Sequence, residues 1–153
     1  MPRLEVTVDV PLSPADAFAV ATAVGEERAA WDPEVSHRRW VRGASRPVDD
    51  AVLFTRSPAG VRLLLRYEHV HAGTQFTLRM IKGPASLDAY GEGWRFTPVI
   101  AGGTRVTVVE TYRLRVPILR RQVGALTVPF RRRALRRRLE SFADACARRA
   151  TAG

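Results

Sequence analysis

A chain of 153 residues with 46% apolar content can bury a core and leave room for a pocket, and it reads as one domain over residues 1–150 with a loose tail at 151–153. The formal net charge is +10, yet residues 117–153 hold 10 arginines and two acids, so the body of the chain is nearly neutral and only its end is strongly basic. The single cysteine, Cys146, excludes an internal disulfide framework and a multi-cysteine zinc site; no apolar run is long enough to span a bilayer and no signal peptide is visible, so a cytoplasmic location is expected.

Leu4, Val6, Val8 and Val10 alternate with Glu5, Thr7 and Asp9, the period of a strand with one buried face. Ser13-Pro14 supplies an N-cap and a first-turn proline, so a short helix is expected over Ala15–Ala23 with Phe18 inward. A second short helix is expected from Glu26 to Trp31, stopped by Asp32-Pro33. Strands follow at roughly 35–42, 51–56, 61–71, 74–82, 86–97 and 104–115, with hairpin turns at Ala72-Gly73 and across Pro98–Gly103. A closing helix is expected between Leu119 and Ala150, opened by Pro117 and kinked or restarted at Pro129. Its residues Leu135, Leu139, Phe142 and Cys146 are spaced 4, 3 and 4 apart and form one apolar stripe. Arg133, Arg136, Arg137 and Arg148 fall well away from that stripe, and Arg131, Arg132, Arg138 and Arg149 flank it. The helix is therefore expected to bury one face and show arginine to water.

Several stretches together resemble a known family: Val6-x-Val8 followed by Pro11-Leu12-Ser13-Pro14-Ala15-Asp16-Ala17-Phe18, then Trp31-Asp32-Pro33-x-Val35, Trp94-x-Phe96-x-Pro98 and Gly103-Thr104-Arg105-Val106-Thr107. In order and spacing they are similar to the START-like, or SRPBCC, helix-grip superfamily of polyketide cyclases and lipid-transfer domains. The resemblance covers nearly the whole chain. It implies an α+β fold: a curved antiparallel sheet of about seven strands around a long C-terminal helix, with two short helices after the first strand. It also implies an apolar cavity that binds or cyclises a hydrophobic molecule. The superfamily shares no single catalytic residue, so the resemblance favours binding over any one reaction.

Strand alternation then selects the inward side chains. Tyr90, Glu92, Trp94 and Phe96 share one face of the 86–97 strand, and Val106, Val108, Glu110, Tyr112 and Leu114 share one face of the next. A hairpin centred near Ala101 sets Phe96 opposite Val106, Trp94 opposite Val108, Glu92 opposite Glu110 and Tyr90 opposite Tyr112. Two carboxylates on an apolar face raise one another's pKa, and a carboxyl that holds its proton near neutral pH suits acid–base chemistry. Either glutamate could equally be satisfied by an arginine or by His69 or His71 in a buried polar network. Leu63, Leu65, Tyr67 and His69 are expected to face in, as are Phe76, Leu78 and Met80, and Phe54 with Val52. Trp31 either caps the pocket or anchors the short helices, and the facing of Trp40 and His37 is left open by the pattern.

The candidate acid–base set is thus Glu92, Glu110, Tyr112 and His69. The candidate ligand contacts are Trp31, Phe54, Leu65, Tyr67, Phe76, Leu78, Tyr90, Trp94, Phe96, Val108, Leu135, Leu139 and Phe142. The histidines lack metal-site spacing, so neither a metal nor a cofactor is expected. Binding of a small lipid- or polyketide-like molecule is the first functional expectation; a polyketide aromatase/cyclase or dehydratase is the alternative. Contact of the C-terminal arginines with an anionic surface is a third, with no specific nucleic-acid reading because no reading motif is recognised. The oligomeric state is left open.

Overall fold

The computed structural model describes residues 1–115 and 120–153. In chain order the elements are β1 (Arg3–Val10), α1 (Pro14–Ala21), α2 (Gly25–Trp31), β2 (His37–Val41), β3 (Val52–Arg56), β4 (Arg62–His71), β5 (Gln75–Lys82), β6 (Leu87–Pro98), β7 (Thr104–Leu114) and α3 (Arg120–Ala152). Local chemistry explains the helix ends. The Ser13 hydroxyl accepts from the Asp16 backbone N–H at 3.2 Å, and Pro14 occupies the first turn where its missing N–H costs nothing. Gly25, at φ +68°, makes the sharp entry into α2, and Asp32 ends that helix in an extended conformation because Pro33 follows it.

The strands form one antiparallel sheet in the order β1-β7-β6-β5-β4-β3-β2. The chain enters on one edge strand, α1 and α2 carry it to the other edge, and a meander returns it to close against β1. This is the helix-grip arrangement. The β6–β7 register is the expected one: Phe96 faces Val106, Trp94 faces Val108, Glu92 faces Glu110 and Tyr90 faces Tyr112. The stripe on α3 is fully sequestered, with Leu135 at 1% exposure and Leu139, Phe142 and Cys146 at 0%. It seats on an aromatic cluster centred on Phe76, which stacks on Trp94 at 5.7 Å and meets Phe18 and Tyr67 edge-on. Trp94 in turn meets Phe142 edge-on at 5.3 Å. Among the described residues no helix is long and apolar enough to cross a membrane.

Four expectations are corrected here. Pro129 does not restart the helix: α3 runs from Arg120 to Ala152 with Pro129 inside it. Both Pro129 and Ala125, whose carbonyl loses its helical partner, are exposed, so water can satisfy that oxygen. Pro117 and the start expected at Leu119 lie outside the described residues. His69 does not face the interior: the β4–β5 register shifts between Glu68 and His71, His69 takes φ +51° and its side chain is exposed. Phe54 does not point inward either, although Val52 is buried at 5% exposure. Phe54 lies on the outer face beside His37, with the Arg39 guanidinium 5.1 Å from its ring, while Leu53 and Thr55 turn in. Arg138, expected at the margin of a solvated face, is buried at 3% exposure.

Candidate functional site

Three chain segments converge on one buried polar cluster. The first is the end of α2. Arg28 Nε donates to Asp32 Oδ2 at 2.8 Å, one helical turn away, and its Nη1 donates to the Ala21 carbonyl. The Arg28 guanidinium lies 4.3 Å from the Trp31 ring, and the Glu34 N–H donates to Asp32 Oδ1 at 2.9 Å. The Asp32-Pro33 bend thus aims both carboxylate oxygens inward. The second segment is β6, where period-two spacing lets Tyr90 and Trp94 flank Glu92: the Tyr90 hydroxyl donates at 2.6 Å and Trp94 Nε1 at 3.1 Å. The third is α3, where Arg138 comes one turn beyond Leu135. It spans the other two, with Nε on Asp32 at 3.1 Å and Nη1 on Glu92 at 2.9 Å.

This geometry decides the charge states. Burial alone pushes Glu92 upward, but Arg138, Arg38 and the bond from Tyr90 outweigh it and hold its carboxyl at about 2. Burial likewise opposes ionisation of Asp32, and the Arg138 and Arg28 charges hold it well below the usual carboxylate range. Arg28 itself is brought down to about 9, first by burial and then by neighbouring Arg38. Glu110 behaves differently. Burial raises it despite a 2.5 Å bond from Arg131 Nη2, and its second oxygen is buried without a partner among the described residues. Arg131 also donates to Glu34 at 2.8 Å, so this half-buried arginine meets two acids of its own chain rather than water.

Beside this cluster lies a cavity of about 540 Å³, within the range of ordinary small-molecule sites. Its apolar wall comes from Val35, Leu63, Leu65, Leu87 and Leu114, and its rim includes the turn Ser57-Pro58-Ala59. Its polar groups are Glu34, Arg38, Thr55, Ser57, Tyr90, Glu92, Tyr112, Thr127, Arg131 and Arg138. The Tyr112 hydroxyl is 2.7 Å from Thr127 Oγ1 on α3.

Of the sequence-selected residues, Leu65, Tyr90, Glu92 and Tyr112 come together on this cavity. Tyr67, Phe76, Leu78, Trp94, Phe96, Val108, Leu135, Leu139 and Phe142 lie instead in the packed core under the C-terminal part of α3. Trp31 joins that core, edge-on to Phe142 at 5.4 Å, and serves as an anchor for α2. Trp40 also turns inward and tilts over Tyr67 at 5.7 Å. Phe54 and His69 are on the outside, and Glu110 is sealed behind Arg131. Sequence reasoning missed Arg38, Thr55, Thr127 and Arg138 as lining residues. The available signal was the parity of β2, where Arg38 and Trp40 share a face.

The profile of the family described as "Polyketide cyclase / dehydrase and lipid transport" matches residues 1–150. The chain belongs to that family. Comparison with the curated proteins finds no significant sequence match. Among solved structures, a protein of Thermus thermophilus is similar at a TM-score of 0.74 and 19% identity, covering 95% of this chain and 97% of its own. A START superfamily protein from Mycobacterium smegmatis is similar at 0.68 and 14%, covering 96% and 95%. The di-domain ARO/CYC BexL from the BE-7585A biosynthetic pathway is similar at 0.70 and 12%; the match covers 95% of this chain and 46% of that one. At such identities the likeness establishes the helix-grip fold and nothing finer about this family member.

Proposed function

We propose that the protein binds a small hydrophobic molecule of lipid or polyketide type in the cavity between α3 and the sheet. The observation that carries this reading is the cavity itself: about 540 Å³ with aliphatic walls and convergent polar side chains, whereas a second hollow of about 530 Å³ beside Met1 and Pro2 has Arg113 as its one polar side chain among the described residues. Family membership agrees with it. The acids do not favour proton transfer as the main role. Glu92 takes bonds from Arg138, Tyr90 and Trp94, stays ionised, and is a weak base at any neutral pH. Glu110 is the more proton-retaining of the pair, but it does not line the cavity.

The test uses 1-aminoanthracene, a neutral apolar fluorophore. One saturable site per chain is expected, and Leu65→Trp should fill the cavity and abolish binding while the far-UV circular dichroism is kept. Unchanged binding in Leu65→Trp refutes this location. Native mass spectrometry of protein from its own host should show a co-purifying apolar molecule.

Aromatase/cyclase or dehydratase chemistry is the second reading. It is favoured by Tyr90 and Tyr112, which face one another across the β6–β7 pair and both line the cavity. To donate to a substrate carbonyl oxygen, Tyr90 would exchange its bond to Glu92 and Tyr112 its bond to Thr127, while the walls fold the chain. On this reading Tyr112→Phe and Tyr90→Phe retain binding and lose product; full turnover in both removes the assignment.

A further inference from the structure

We propose that Arg38 is the docking point for a carboxylate on the cavity's ligand, so that the molecule bound is an anionic amphiphile and not a neutral hydrocarbon-like one. This rests on the cavity being the binding site.

Arg38 leaves β2 on its inner face, opposite Thr55 on β3, and is 2% exposed. Its one hydrogen bond among the described residues is long, from Nε to Thr55 Oγ1 at 3.4 Å. No carboxylate among the described residues forms an ion pair with it, although Arg28, Arg131 and Arg138 each have one or more. Its terminal nitrogens are not among the sealed unpartnered atoms, and the residue lines the cavity. The free end of the guanidinium therefore opens on the cavity.

The pairing pattern singles Arg38 out. The cluster gathers Arg28, Arg38, Arg131 and Arg138 around Asp32, Glu34, Glu92 and Glu110, and of these four arginines Arg38 alone makes no ion pair among the described residues. Asp32 and Glu92 are taken by Arg28 and Arg138. Arg131 is taken by Glu34 and Glu110. Asp32 and Glu92 are close enough to feel the Arg38 charge, but neither bonds to it, and buried N–H donors left without an acceptor are costly. A planar guanidinium offers two parallel N–H groups that match a carboxylate. A single carboxylate brings one negative charge to this guanidinium, whereas a phosphate dianion would bring two into the same buried site. The aliphatic wall of Leu63, Leu65, Leu87 and Leu114 supplies the place for the apolar body.

The experiment measures displacement of 1-aminoanthracene by decanoate, decanol and decyl phosphate at pH 8, in the wild type and in Arg38→Met and Arg38→Gln. Decanoate is expected to bind at least about tenfold more tightly than decanol, the usual size of a charge-assisted bond. Either variant should lose that preference and keep the affinity for decanol. Equal wild-type affinity for decanoate and decanol overturns the proposal, as does a preference that survives in the variant that folds. Tighter binding of decyl phosphate overturns the carboxylate assignment. In all these outcomes the probe still binds and the cavity reading stands; failure of 1-aminoanthracene to bind the wild type overturns both.

Discussion

Replacing Arg138 by leucine removes the one side chain that bridges Asp32 and Glu92. Both carboxylates are buried, at 2% exposure each; Asp32 keeps Arg28, but Glu92 is left with only the neutral donors Tyr90 and Trp94. Breaking a buried ion pair from one side costs about 3–5 kcal/mol, because the partner charge is left without compensation. The pH dependence gives an independent figure. Glu92 is held at about 2 in the folded protein against an ordinary 4.5. At about 1.4 kcal/mol per pKa unit this is roughly 3 kcal/mol of stability. Because the folded value is depressed, that stability is present above pH 4.5 and is lost as the pH falls through 2. Asp32 acts in the same direction. Urea unfolding followed by tryptophan fluorescence from pH 7 down to 2 measures both effects, with buried Trp94 bonded directly to Glu92 as a reporter. Arg138→Leu is expected to lose about 3–5 kcal/mol at pH 7, and the gap to the wild type should narrow as the acids protonate. Adding Glu92→Gln should recover part of the loss. A loss under about 1 kcal/mol, together with a gap that does not change with pH, would refute the bridging role.

Phe76→Ala opens the centre of the aromatic cluster and should cost about 3–5 kcal/mol by urea unfolding; a cost under about 1 kcal/mol would mean that the cluster does not carry the core. Gly103 has φ +87° and a Cβ there would collide with the Val10 carbonyl oxygen, whereas Gly102, at φ +90°, faces open space. Gly103→Ala should therefore lower the Tm clearly more than Gly102→Ala, and equal losses would contradict the close approach. Burial holds the Cys146 thiol up at about 12, so a thiol reagent at pH 8 should react only after denaturant is added; prompt labelling of the native protein would contradict its burial. Arg136 and Arg137 are exposed on α3, as are Leu126 at 71% and Phe130 at 77%. Binding to vesicles containing anionic lipid should fall with added salt and in Arg136→Glu with Arg137→Glu, while salt-independent binding would count against a charge-driven contact.

The sheet register and the helix stripe were legible in the sequence because both depend on short-range periods. The alternation in β6 and β7, joined by a turn that Gly102 and Gly103 permit, puts Glu92 opposite Glu110 without reference to the rest of the chain. The spacing of Leu135, Leu139, Phe142 and Cys146 likewise names the face of α3 that is buried. What meets that face is not local. Asp32 and Arg138 are 106 positions apart, and only the crossing of α2 and α3 turns a marginal arginine into the centre of a buried network. A one-residue irregularity between β4 and β5 was enough to send His69 outward. The division of the space under α3 into a packed aromatic half and an open aliphatic half also arises from tertiary structure. The face a side chain leaves from is set by its neighbours in sequence, but its partners arrive from elements that only folding brings together. For the same reason Arg38 reads in the sequence as one more arginine, and only the folded protein leaves its guanidinium on a cavity without a direct ion-pair partner among the described residues.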